Sequence, residues 1–399
     1  MRDKIIFFLK KHPKILNTFW ECMSYLLKVI SVFLPINEKR IIFSSFGGRS
    51  FNDSPKALYD KICECNYFDD WDLIWAFIAP DNFELQRGKK VKIDTISFFK
   101  MLLSSKVWIS NSGMARGINI HRKGIIEVET WHGTPLKKIG GEENQNSIAP
   151  NRMKKNKNKL DSSTIRCAQS KFDQKIFSRI FNANKNSILL CDLPRNDKLL
   201  DYSNDEIMLI KKKLSIPSNK KVILYAPTYR EYLVDNKKKN YIAPPLNLNK
   251  WKKEIGNEYV MIIRAHYVVT KSLNIMSDDF IYDVTNYPNI NDLYLISDIL
   301  ISDYSSVFFD YSILCKPMLC FAYDLEEYNE KRGLYLDLKT TLPCSIDKNE
   351  DDLIFKIKNM NYDEYANRTM KFHQRFTPFA GNACETIINT IIKNIERKN

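Results

Sequence analysis

Arg40-Ile41-Ile42-Phe43-Ser44-Ser45, a Gly47-Gly48 pair, a helical stretch from Pro55 to Cys65, and a second apolar run, Trp71–Ala79, closed by Pro80: this segment decides the fold. It reads as strand, turn, helix and strand in succession, the unit from which parallel sheets are built. The runs are continuously apolar rather than alternating, as expected of strands covered by helices on both faces. The pattern extends outward through Val107-Trp108-Ile109-Ser110, Gly124–Thr130 and Ile188–Leu193. A second series begins at Lys221-Val222-Ile223-Leu224-Tyr225-Ala226. It continues through Val260–Arg264, Asp298–Ile301 and Pro317–Phe321. The helical stretch Tyr202–Ser218 separates the two series. The expected architecture is therefore α/β, with two successive doubly wound domains, 39–203 and 204–399, and a cleft between them. Ligands of such sheets lie beyond the carboxyl ends of the strands.

Ahead of these domains, residues 1–38 form a basic segment carrying Arg2, Lys4, Lys10, Lys11 and Lys14. From 15 to 34, Ile15, Leu16, Phe19, Trp20, Met23, Leu26, Leu27, Ile30, Phe33 and Leu34 recur at a helical period, with Asn17, Glu21, Ser24, Lys28 and Ser31 between them. Those charges argue against a spanning helix or a signal peptide. An amphipathic helix of this kind suits a membrane interface with anionic lipid, and equally suits packing on the body of the protein.

The 399 residues are enough for two cores. Sixty-one Lys and Arg against 47 Asp and Glu give a net charge of +14. That excess favours anionic partners: phosphate-rich substrates, acidic lipid or nucleic acid. The nine cysteines are scattered and mostly set in apolar runs, which fits reduced thiols and a cytoplasmic location. Cys63-Glu64-Cys65 is too closely set for a zinc pair, and no metal or cofactor is expected. Asp69-Asp70-Trp71-Asp72 precedes a strand and reads as a turn. Lys-rich 151–159 reads as a solvated loop or helix start that can also attract an anion.

Candidate chemistry gathers where strands end. After Gly124–Thr130 come Trp131-His132-Gly133-Thr134-Pro135-Leu136-Lys137-Lys138, with Gly133 allowing a sharp exit and Pro135 suited to a first helical turn. His132 is then a strand-end imidazole, a general base or a structural histidine. Arg264-Ala265-His266 follows the next strand of interest. This pair can grip phosphate, or it can be an ion pair beside an ordinary histidine. Ser302-Asp303-Tyr304-Ser305-Ser306 closes another strand and opens a helix, offering an anion site or simple capping. Thr228, in Ala226-Pro227-Thr228, has the same placement. No Gly-x-Gly-x-x-Gly, Walker or Gly-x-Ser-x-Gly sequence is present, which disfavours NAD enzymes, P-loop NTPases and α/β-hydrolases.

With these blocks assembled, the chain resembles the CDP-glycerol glycerophosphotransferase family of teichoic-acid primases and polymerases. The resemblance rests on Phe43–Gly47 with Ser54-Pro55-Lys56, the Thr130–Lys138 block, and Leu193-Pro194-Arg195-Asn196-Asp197. It continues in Leu224–Thr228, Arg264-Ala265-His266, Ser302–Ser306 with Phe309-Asp310, and Lys331-Arg332-Gly333-Leu334-Tyr335. Tyr267, where the family commonly has Pro, and Ala380-Gly381-Asn382, where an Asp-Gly pair is common, are departures. The resemblance implies two Rossmann-like domains in a glycosyltransferase-B-like pair, with the donor nucleotide in the C-terminal one. It implies His132 as general base, His266 steadying the donor pyrophosphate, and Thr228, Arg264, Asp303, Ser305 and Ser306 at the donor phosphates. Gly133, Thr134 and Lys137 fall on the acceptor side. The implied partners are CDP-glycerol or CDP-ribitol, a polyanionic or lipid-linked acceptor, and the inner face of the cell membrane. The rival class, a basic nucleic-acid-binding protein, predicts salt-sensitive binding without motifs concentrated at strand ends; no nucleic acid is expected.

Overall fold

The computed structural model describes residues 13–114, 118, 120, 122–144, 164–230, 234–235, 240–241, 244–265, 269, 273 and 277–397. The first sheet contains β1 (Asn37–Ser44), β2 (Asp72–Phe77), β3 (Lys89–Lys92), β4 (Ser105–Ser110), β5 (Ile126–Glu129), β6 (Ile165–Ala168) and β7 (Ile188–Leu190). Its order is β3-β2-β1-β4-β5-β6-β7, parallel throughout. The second sheet follows with β8 (Lys221–Tyr225); a small antiparallel hairpin, β9 (Val234–Asp235) and β10 (Asn240–Tyr241), stands apart from it. Then come β11 (Tyr259–Ile263), β12 (Ile281–Asp283), β13 (Ile299–Ser302), β14 (Met318–Phe321) and β15 (Ile346–Asp347). The order is β12-β11-β8-β13-β14-β15, again parallel.

The central strands are the continuous apolar runs: Ile41, Ile42 and Phe43 in β1, and Val222, Ile223 and Leu224 in β8, have no exposed surface. Strands that the apolar pattern does not announce are the short ones. β3, β12 and β15 lie at sheet edges, where a strand is packed on fewer sides and tolerates charge. In β3, Lys89-Lys90-Val91-Lys92, only Val91 is buried. β6 is interior but interrupted by Arg166.

In both sheets the strand order reverses beside the first strand, between β1 and β4 and between β8 and β13. Chain leaving those strands diverges to opposite faces and opens a crevice at their carboxyl ends. The two crevices face one another across a single cleft.

At least three connections bind the halves. The last helix, Ala383–Glu396, follows the second sheet in sequence but packs on the first. Its Ile387, Ile388, Ile391 and Ile395 join Ile41, Phe43, Leu58 and Ile62 in one core, an attachment that a boundary at 203/204 does not anticipate. Asp197 holds its start, accepting from Ala383 N at 2.8 Å and Cys384 N at 2.7 Å. The Lys331–Tyr335 motif forms the third connection. Lys138 N donates to Gly333 O at 3.0 Å and Tyr335 N to Leu136 O at 2.9 Å. A side chain at Gly333, where φ is +79°, would meet Asn144 and Lys138 at 2.8 Å.

The N-terminal helix, Pro13–Phe33, packs one set of its apolar residues on the body of the protein. Leu27 is buried with Ile42, Phe98 and Leu102, and Trp20 and Met23 pack against the same cluster. Another set, Tyr25, Leu26, Val32 and Phe33, is exposed. Among the described residues no helix is long and apolar enough to cross a membrane.

Candidate active site

The cleft between the sheets encloses about 1040 Å³. From the first sheet it is walled by Phe46, Asp53 and His132, from the second by Arg264, Ser305 and Ser306. His132 is half-buried, in the turn after β5. Its Nδ1 lies 2.8 Å from the carbonyl oxygen of Asn111, which follows β4. A carbonyl only accepts, so Nδ1 carries the proton and the lone pair of the neutral ring is on Nε2. Burial holds the imidazole below its ordinary pKa, against the opposing pull of the Asn111 hydrogen bond and the Asp53 charge. A ring so placed is neutral at pH 7 and competent as a base.

The turn carrying His132 is strained. Trp131 has φ +59°, and Phe46 and Asp53, on neighbouring turns, have φ +47° and +63°. Each such residue costs on the order of 1–3 kcal/mol, so surrounding contacts must hold it. Glu129 supplies several of them: Oε1 accepts from Trp131 N at 3.2 Å, Oε2 from Ser110 Oγ at 2.7 Å and Gly113 N at 2.9 Å. The Trp131 ring stacks on the imidazole at 4.3 Å between centroids. At Gly133 a side chain would be both strained and crowded. With φ +146°, an added Cβ would come within 2.6 Å of Ser306 Oγ and 2.9 Å of Ser306 Cβ. The two halves touch at this point.

Not every expected residue reaches the cleft. Thr134 is buried, its hydroxyl between Gln169 Oε1 at 3.1 Å and Asp173 Oδ2 at 3.0 Å. Lys137 pairs its backbone with Leu334 and lays its ammonium 6.0 Å from the Tyr328 ring. Thr134 thus lies in the interior of the first half and Lys137 in the seam between the halves, and neither is among the residues lining the cleft. Asp303 is also buried behind the wall. It accepts from Thr228 N at 2.9 Å and Tyr304 N at 2.6 Å and pairs with Arg230 at 3.0 Å. It holds the two second-sheet turns together, and sequence pattern does not separate that task from ligand contact. Thr228 is buried, with its Oγ1 unpartnered among the described residues. Arg264 donates from Nη1 to the carbonyl of Tyr287. His266, Tyr267 and the 151–159 lysine run lie outside the described residues.

One group that pattern alone passed over stands at the centre of the site. Arg195, in the short 3₁₀ segment Pro194–Leu199 linking the halves, pairs with Asp53 at 2.5 Å and Asp310 at 2.7 Å. Nη2 also donates to the His132 carbonyl at 3.1 Å. Beneath it, Asn196 Nδ2 donates to Asp310 Oδ1 at 2.9 Å and Asp192 Oδ1 at 3.1 Å. Burial pushes the Asp192 carboxyl up to about 7 and Asp173 up to about 8. The charged Pro-Arg-Asn-Asp run at a strand end was the signal available. Its partners, 142 and 115 residues away, were not.

Comparison with known proteins agrees with this arrangement. The sequence model of the family described as CDP-Glycerol:Poly(glycerophosphate) glycerophosphotransferase matches residues 26–393, and the chain belongs to that family. It is 34% identical over 372 residues to a teichoic acid glycerol-phosphate transferase of Staphylococcus aureus, covering 90% of this chain and 94% of the relative. It is 33% identical over 375 residues to a teichoic acid poly(glycerol phosphate) polymerase of Staphylococcus epidermidis, covering 91% of this chain and 52% of that protein. The chain thus spans about half the length of that polymerase and of its Bacillus subtilis counterpart. Among solved structures, the wall teichoic acid polymerase TagF superposes with a TM-score of 0.86 at 29% identity, covering 100% of this chain and 99% of that one. A histidine-to-asparagine variant of that polymerase has been solved after soaking with CDPG. The likeness fixes the fold as the two-sheet α/β arrangement of that enzyme.

Proposed function

We propose that this protein transfers glycerol phosphate from CDP-glycerol to a hydroxyl of a polyol-phosphate or glycan acceptor, in the synthesis of a teichoic-acid or related cell-surface polymer, releasing CMP. The observation that carries the reading is His132, fixed through Nδ1 and opposed across the cleft by Arg264, Ser305 and Ser306. Family membership supports it, as do relatives named for glycerol-phosphate transfer.

The acceptor hydroxyl enters beside His132, whose Nε2 takes its proton. The acceptor oxygen forms a bond to the β-phosphorus as the bond from that phosphorus to the oxygen of CMP breaks, and CMP leaves with that electron pair. Ser305 and Ser306 offer hydroxyls to the phosphates, and Arg264 adds positive charge. His266 acts with them on the pyrophosphate, and the free Thr228 hydroxyl serves the same group. Phosphoryl transfer depends chiefly on positioning and electrostatic stabilisation, so fixed donors account for much of the rate. The acceptor side is assigned to the first-sheet wall, where Lys56, Lys61 and Lys198 reach the cleft, each beside a carboxylate. The exposed apolar face of the Pro13–Phe33 helix supports a peripheral position on the inner membrane surface, suited to a lipid-linked acceptor.

The test is CMP release from CDP-glycerol with a polyol-phosphate or lipid-linked acceptor analogue. Acceptor-dependent release is expected from the wild type. A protein silent with CDP-glycerol but active with CDP-ribitol would keep the mechanism and change the donor; silence with both would sink the reading.

A further inference from the structure

The proposed base hangs from the first sheet and the phosphate-facing serines from the second, so their separation is set by how the halves are joined. We propose that Arg195, with Asp53 and Asp310, is the positioning group of the reaction, holding His132 in register with the Ser305-Ser306 turn. This rests on the reading of His132 as base given above.

The geometry is specific. Asp53 belongs to the first-sheet helix Asp53–Cys63, and Asp310 to the helix that begins directly after Ser306. Arg195 spans them from the linker, at 2.5 and 2.7 Å, with side chains 9%, 8% and 2% exposed in the order Arg195, Asp53, Asp310. His132 is gripped twice by this group. Its carbonyl accepts from Arg195 Nη2 at 3.1 Å. Its ring is held by Asn111, whose Nδ2 donates to Asp53 Oδ1 at 3.0 Å. A shift of Arg195 therefore moves both the backbone and the ring of His132 relative to Asp310.

Neither direct phosphate binding nor simple stability accounts for the cluster. Both Nη groups of Arg195 are already engaged by carboxylates and a carbonyl, and its Nε, without a partner among the described residues, is buried away from the open cleft. One guanidinium between two carboxylates leaves net negative charge beside the place an anionic donor must occupy. A buried ion pair is a weak stabiliser, because desolvation offsets its attraction. A planar fork that fixes several acceptors at once is, by contrast, well suited to setting geometry.

The decisive variant is Arg195→Lys, which keeps the charge but cannot bridge all three acceptors. Folding is followed by circular dichroism and donor-site affinity by calorimetry with CMP. The expected result is a folded protein with CMP affinity and CDP-glycerol KM within about 3-fold of wild type and kcat lower by about 10²-fold, the effect of a misplacement near 1 Å. Should Arg195→Lys not fold, Asp310→Asn cuts only the tie to the second sheet, and the same split between kcat and KM is expected. A folded variant with kcat within 2-fold, or one losing kcat and CMP affinity together, overturns the proposal. A second reading needs no turnover. Asp53 is the carboxylate facing the His132 ring, Arg195 the cation beside it, and Asp310 lies beyond Arg195. NMR titration of the imidazole should move to lower pH in Asp53→Asn and stay in place in Asp310→Asn. An unmoved titration in Asp53→Asn refutes the clasp whatever the reaction; a wild type inert toward CDP-glycerol refutes the reaction instead.

Discussion

The two rims of the cleft are held by different means. On the first-sheet rim His132 is surrounded by strained backbone and dipoles: positive φ at Phe46, Asp53 and Trp131, the Asn111 carbonyl on its ring, the Trp131 indole on its face. On the second-sheet rim the turns are anchored from behind by charge. Arg230, wholly buried, joins Asp324 at 2.6 Å and Asp303 at 3.0 Å and donates to the Thr228 carbonyl at 2.7 Å. Tyr304 stacks on Tyr328 at 3.7 Å and donates to Asp324 at 2.9 Å. The His132 ring is oriented and fixed in one tautomer by a carbonyl and by packing, while the Glu129 carboxylate and the Arg195–Asp53 pair brace its turn from further off. The ion network lies beneath the second-sheet turns, where Asp303 takes the Thr228 and Tyr304 amides and leaves Ser305 and Ser306 on the cleft side.

The contrast is broken most severely at His132, the proposed base. His132→Ala should lower acceptor-dependent CMP release by about 10²–10⁴-fold while leaving the thermal midpoint nearly unchanged. Activity equal to wild type would make the histidine structural. The reverse behaviour is expected on the other rim. Arg230→Met strands Asp303 and Asp324 and should cost about 3–5 kcal/mol of stability in denaturant titration. A loss below about 1 kcal/mol would show the network to be dispensable, on the scale of an exposed pair.

Where the rims touch, Gly133→Ala drives a methyl into Ser306. It should reduce kcat by roughly tenfold or more, as small misplacements do. Ser306→Gly in the same chain should recover part of the accompanying fall in thermal midpoint, a readout independent of the contact proposed for the Ser306 hydroxyl, by removing the clashing Cβ and Oγ. No recovery would place the defect in the Gly133 backbone rather than in the contact.

The smallest effect concerns pH. His132, held below its ordinary pKa, remains a base into mildly acidic solution, so the acid limb of kcat/KM should fall below the usual histidine value of about 6.5. The carboxyls beneath Arg195 act in the opposite sense on stability. With folded values of about 7 for Asp192 and about 8 for Asp173, both above the ordinary carboxylate range, the folded state binds more protons. Their contribution is fully present below about pH 4 and is lost as pH rises toward 7–8. Asp192→Asn should flatten the stability profile between pH 5 and 7 by up to about 1.4 kcal/mol per pH unit, one proton's worth. An unchanged slope would mean that Asp192 is ionised in the folded protein.

Much of this molecule was legible in the chain. Ile41-Ile42-Phe43 and Val222-Ile223-Leu224 announce themselves as central parallel strands because burial on both faces demands unbroken apolar runs. His132, Arg264, Ser305 and Ser306 were legible because strand ends are where such folds expose polar groups. Edge strands such as Lys89–Lys92 were not, since a half-covered strand has no apolar run to show. Nor could sequence distinguish Thr134, Lys137 and Asp303, which brace the first half's interior, the seam and the turns, from the residues that line the cleft; a strand-end motif supplies both kinds.

The sequence by itself determined the two sheets, their cleft, and the strand-end turns that line it, because hydrophobic period and turn residues act over a few positions. Only the tertiary structure decided that the last helix returns to the first sheet, that Gly133 meets Ser306, and that Arg195 lies between Asp53 and Asp310. Those are contacts between segments far apart in the chain, and partners for a buried charge are chosen by where the backbone brings them, not by neighbouring residues.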